Sequence, residues 1–185
     1  GIKKYKDVVK LTGVDSNQHA LEEALKIGFD SLVHVHDFSN DVLPIDSESF
    51  DLVVCKDVLE HLVNPNHLMD EINRILKPGG VLLLHVPNHF TLYRRIVFLF
   101  NNKIDTFSWF GESDRFDFPH IRFFTLSSVL RLLNLTHFTF LNNLSYFFVN
   151  LPIVHQRAPL FFRKILSNIS TDNFCDGVTI LAKKK

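Results

Sequence analysis

FDLVVCKDVLEHLVNPNHLMDEINRILKPGGVLLLHV, residues 50–86, decides the fold of this chain. The largely apolar run 50–55 predicts a buried strand. A polar exit loop follows, carrying Lys56, Asp57, Glu60 and His61. Asn64-Pro65 then predicts a helix start, with a side-chain cap and proline at the first helical position. Leu68, Met69, Ile72, Ile75 and Leu76 fall on one stripe of that helix. Pro78-Gly79-Gly80 stops it, and residues 81–86 form a second apolar strand. Continuous apolar runs suit strands covered on both faces, as in a parallel sheet. The pattern is half of an α/β nucleotide-fold domain, in which ligands sit beyond the carboxyl ends of the strands.

Upstream, residues 8–14 predict a strand ending at Asp15. Ser16 or Asn17 can cap a helix carrying Leu21, Ala24 and Leu25. Gly28 suits its left-handed stop. Residues 29–36 predict another strand, ending at Asp37. Downstream, residues 90–100 predict a helix, followed by an irregular aromatic segment. Thr125 can cap a helix carrying Leu126, Val129, Leu130 and Leu133. Residues 138–144 and 178–183 predict two final strands, paired antiparallel, with loop and helix between them at 150–170. The alternation of strands and helices gives the fold class: α/β, a doubly wound, mostly parallel Rossmann-like sheet. Residues 89–124 form a helical, Phe-rich insertion or lid, and nothing marks a second domain within 1–185.

The chain has 185 residues, enough for one domain with its own core. Charged residues make up 22% and the net charge is zero, so no basic face is expected for nucleic acid. The short basic runs at Lys3, Lys4 and Lys6 and at 183–185 are expected to be solvated ends. No stretch reaches the ~20 apolar residues a membrane span needs. Cys55 and Cys175 do not make a disulfide framework or a zinc site, so a reduced, cytoplasmic protein without a metal is expected. Phe is unusually common, 19 against 3 Tyr and 1 Trp, and most of it follows residue 89. It serves core packing, an apolar substrate pocket or a membrane-facing lid.

The order GVDSN, HDF, LPIDSESFDLVVCKDVLEHL and RILKPGGVLLLHVPN resembles class I S-adenosylmethionine (SAM)-dependent methyltransferases, and HIRFFTLSSVLRLL resembles a small-molecule branch of them. The resemblance implies SAM as cofactor and a small-molecule acceptor, apolar or lipid-linked. It implies that Asp15, with Ser16 beside it, holds the SAM ribose, and that Asp37 and Phe38 hold the adenine. Cys55, Lys56 and Asp57 would line the methionine end through backbone groups, with Lys56 turned outward. His120 is the first candidate base and His61 the second, since imidazole accepts protons near neutral pH. Arg122 is a candidate carboxylate or phosphate contact on the substrate. Each has a plainer reading: Asp15 as a helix cap, Asp37 as a loop acid, His120 and Arg122 as braces of the lid.

The family's glycine-rich turn belongs just before residues 2–5, where the chain has only Gly1. The strand preceding that turn is normally central, so its absence would leave a gap lined by buried, unpaired backbone groups. The expectation is a chain incomplete at its N-terminus. The competing reading is a non-catalytic module or degenerate partner subunit. A nicotinamide dehydrogenase shares the sheet logic, but the chain lacks its glycine fingerprint.

Overall fold

The structure is a computed structural model that describes residues 8–101, 120–145, 165 and 168–185. The elements are β1 (Thr12–Asp15), α1 (Gln18–Ile27), β2 (Ser31–His34), β3 (Phe50–Lys56), a 3-10 turn (Leu59–His61), α2 (Pro65–Ile75), β4 (Leu76–Pro87), α3 (Leu92–Asn101), α4 (Leu126–Leu135), β5 (Phe138–Asn143), a short helix (Thr171–Phe174) and β6 (Gly177–Lys184). Residues 1–7, the middle of the 89–124 insertion and most of 150–170 lie outside the described residues.

Local chemistry sets most boundaries. The Asn17 side chain accepts the N–H groups of His19 and Ala20 and opens α1. Gly28 closes it at φ 107°, a conformation costly for any residue with a Cβ. Thr125 and Ser128 form a reciprocal capping box on α4. Pro65 opens α2 as expected, but the Asn64 side chain makes no capping bond. The Ser39 hydroxyl there takes the backbone N–H groups of Val63 and Asn64 and fixes the entry differently. Leu25 is half exposed, so only Leu21 of the expected α1 stripe is buried.

β3 and β4 pair in parallel, as do β1 and β2, while β6 runs antiparallel between β4 and β5. The order is β3-β4-β6-β5, with β1-β2 as a separate pair. This is the mixed sheet of an α/β fold. Leu82, Leu84, Val86, Val178, Ile180 and Ala182 are buried, and with α2 residues Leu68, Met69, Ile72 and Ile75 and α4 residues Val129, Leu132 and Leu133 they form one core. Along β4, fully buried and half-buried residues alternate, so one sheet face is covered more tightly than the other.

No backbone pairing joins β1 to β3. Between them lies a cavity of about 1450 Å³, lined by residues 8–15 of one side and 49–55 of the other. Leu52 and Val54 on β3 are more than half exposed beside it.

Candidate active site

Two regions collect the residues singled out by sequence. The first is the β1–β3 cavity, whose wall contains Asp15, Phe38 and Cys55, with Val14, Val53 and Val58 between them. Asp15 ends β1, and its Oδ1 accepts the N–H of Asn17 at 2.8 Å. Ser16 lies next to it, its carbonyl 2.9 Å from His34 Nε2. Asp37 stands in the loop after β2. Its carboxylate accepts from Ser39 N–H and from the Asn40 side chain, which hold it below the ordinary carboxylate range. Burial pushes the Cys55 thiol up to about 12, so its sulfur is no nucleophile at neutral pH. Ser16, Asp37, Lys56 and Asp57 are not in the cavity wall.

The second region begins where β3 ends. Lys56 is largely exposed, with Nζ 3.5 Å from Asp57 Oδ2. Asp57 adopts φ 52°, a left-handed turn at the strand exit. Its Oδ1 lies 3.4 Å from His85 Nε2, and His85 Nδ1 meets the Thr179 hydroxyl at 2.8 Å. Gly177 makes room for this ring: a Cβ there would sit 2.3 Å from His85 Cε1.

One turn further, Glu60 is fully buried, and burial pushes its carboxyl up to about 7. Its Oε1 faces His61 Nε2 at 3.7 Å and His120 Nε2 at 3.8 Å. The rings of His61 and His120 meet edge-on, 4.7 Å between centroids. His120 Nδ1 pairs with His89 Nε2 at 2.9 Å, and desolvation moves His89 down to about 4. Desolvation also lowers His120, so the ring is neutral at physiological pH. The Glu60 carbonyl accepts the N–H groups of Ile121 and Arg122, tying residues 120–124 to the 3-10 turn. Arg122 directs its guanidinium to the carbonyls of Leu62 and Val63.

The candidate bases His61 and His120 therefore share one site, 59 residues apart in sequence. His85 and His89 were not singled out from the sequence, and Glu60 was named there only as one acid of the exit loop. The signal available for them was position alone, since all three flank the ends of β3 and β4.

A methyltransferase-domain family model matches residues 2–84. That match covers a little under half of the chain, and over this stretch the chain is similar to SAM-dependent methyltransferases. Among curated relatives, the ubiquinone biosynthesis O-methyltransferase of Glaesserella parasuis is 31% identical over 86 residues, covering 42% of this chain and 36% of the relative. That of Haemophilus ducreyi is 33% identical over the same length, with the same coverage. The match thus spans little more than a third of these relatives. A SAM-dependent methyltransferase of Thermotoga maritima superposes with a TM-score of 0.68 at 20% identity, over 98% of this chain and 76% of its own. One from Methanosarcina mazei gives 0.60 at 20%, over 99% and 85%. The cyclase SpnF shares the fold at a TM-score of 0.58 and 16% identity, over 99% of this chain and 69% of its own. Fold alone therefore does not specify the reaction.

The family's cofactor is SAM. The donor set fits it in kind. Asp15 places a carboxylate at a strand end, a kind of group that can accept from a ribose diol, and the same cavity wall contains the apolar Phe38.

Proposed function

We propose that this chain transfers the methyl group of SAM to an oxygen of an apolar small molecule. The observation that carries the reading is the convergence of Asp15, Phe38 and Cys55 on one cavity. SAM supplies an already activated methyl on a positively charged sulfur. The protein's own work is to bind, align and keep out water. Asp15 would hold the ribose, and Asp37 and Phe38 the adenine. The backbone of Cys55, Lys56 and Asp57 would line the methionine end. Transfer needs nucleophile, methyl and sulfur in line, with reacting atoms about 3–3.5 Å apart.

The acceptor is placed at the histidine site, where His120 and His61 are the groups able to assist loss of its proton. Relatives named for O-methylation favour an oxygen acceptor, and the Phe-rich segment from residue 89 favours an apolar one. Arg122, spent on backbone carbonyls, is the weaker candidate for a substrate contact. Two buried, unpaired cysteines suit a reducing, cytoplasmic setting, and no described helix is long and apolar enough to cross a membrane.

The open cavity between β1 and β3 supports a further element of the proposal: a strand upstream of β1, followed by a glycine-rich turn, fills it in the whole protein. Calorimetry with SAM tests this on the chain as given and on a version extended upstream. Binding by the extended form alone is the expected result. Binding by neither would favour a non-catalytic module, the reading that an unfilled gap supports. His120→Ala is expected to lower turnover at least tenfold while leaving SAM affinity within twofold. Full turnover in that variant would remove His120 from the reaction.

A further inference from the structure

Glu60 poses an electrostatic problem. Its side chain is buried, and neither carboxylate oxygen meets a hydrogen-bond donor among the described residues. A buried carboxylate with neither a donor nor a counter-charge beside it is unfavourable. Two imidazole nitrogens face Oε1, at 3.7 and 3.8 Å. These separations are too long for the N–H···O bonds of a proton relay, which need about 2.7–3.2 Å. They suit donors arranged around a shared ion. Glu60, His61 and His120 each offer one ligand atom, all within 4.8 Å of one another. Tetrahedral zinc, with bonds of about 2.0–2.2 Å, spaces its donors roughly 3.4 Å apart. The Glu60 edges of the triangle need to close by only a few tenths of an ångström, roughly, to reach that spacing.

We infer that Glu60, His61 and His120 form a binding site for a divalent first-row transition ion, zinc first among them. Two imidazoles and a carboxylate are the donor set of catalytic zinc sites that keep a coordination position open. Magnesium and calcium prefer all-oxygen sites and fit it poorly. The surroundings are those of a supported site. His89 Nε2, 2.9 Å from His120 Nδ1, orients the His120 ring with Nε2 inward. Two amide N–H groups on the Glu60 carbonyl fix the backbone that carries Glu60 and His61. The His61 side chain is one-third exposed, which gives an ion a way in and leaves the open position accessible. The inference rests on this geometry and stands apart from methyl transfer. With an ion seated, His61 and His120 would serve as its ligands.

The test is metal binding by the whole chain. The protein is stripped with chelator, titrated with zinc against a chromophoric competitor, and with cobalt for its visible ligand-field bands. One ion per chain is expected, with affinity reduced at least tenfold in Glu60→Gln, His61→Ala and His120→Ala. His89→Ala, acting through the His120 ring, is expected to weaken binding about tenfold. His19→Ala, on the exposed face of α1, serves as the control and leaves binding unchanged. Absence of stoichiometric zinc or cobalt binding would overturn the site. So would binding that survives in both His61→Ala and His120→Ala. Should Glu60→Gln fail to fold, the partly exposed His61 still decides the matter.

Discussion

Glu71 and Arg74 show what a single pair of residues does for this molecule. The Glu71 carboxylate accepts the backbone N–H of Leu43 at 2.8 Å and two bonds from the Arg74 guanidinium. Arg74 also donates to the carbonyls of Leu43 and Ile45. The pair thereby fastens the loop after β2 to α2. Arg74 holds the Glu71 carboxyl below its ordinary value of 4.5. A lowered carboxyl contributes stability that is fully present above the unfolded value and is lost as pH falls through the folded one. Glu71→Gln is expected to cost about 1–3 kcal/mol at neutral pH. It should also flatten the loss of stability below pH 4.5, measured as the urea midpoint between pH 3 and 7. An unchanged acid limb would mean that other carboxylates govern acid unfolding. The bonds to Leu43 and Ile45 span 28 to 31 positions, and neither helical periodicity nor capping rules point to them.

At the scale of elements, boundaries marked by local chemistry were legible in the sequence. Gly28 stops α1, Pro65 starts α2, Thr125 caps α4, and the last two strands pair antiparallel. The first three depend on a residue's own backbone preference or on neighbours within a turn. Thr125→Ala removes half of a capping box and is expected to cost about 1 kcal/mol. Thermal denaturation checks it, and Thr125→Ser should restore most of the loss. Elements missed or altered depend on distant partners. Asn64 looks like a cap, yet the Ser39 hydroxyl 25 residues away holds that turn. β1 and β2 are shorter than the apolar runs that announce them: the paired residues are Thr12–Asp15 and Ser31–His34. The candidate site divides the same way. His61 and His120 were legible as imidazoles in plausible segments. Their meeting with Glu60 and His89 was not, because it depends on how residues 120–124 dock across the 3-10 turn.

For the whole molecule, the slot between β1 and β3 has a consequence in time. β3, α2 and β4 succeed one another along the chain and close as one local unit, and β1, α1 and β2 close as another. The two touch through side chains such as Val14 and Val33 against the main core, with no shared backbone ladder. Local units form early, and units without a common ladder open separately. Hydrogen exchange should therefore sort the amides into two classes. Those of β1 and β2 are expected to exchange through a cheaper, earlier opening than those of β4 and β6. Equal protection of Val14 and Leu84 would show that side-chain contact alone makes the halves cooperative. In the two-class case, whatever occupies the slot acts as a clasp. Its arrival slows the faster class to the pace of the slower and turns a chain with two unfolding clocks into a chain with one.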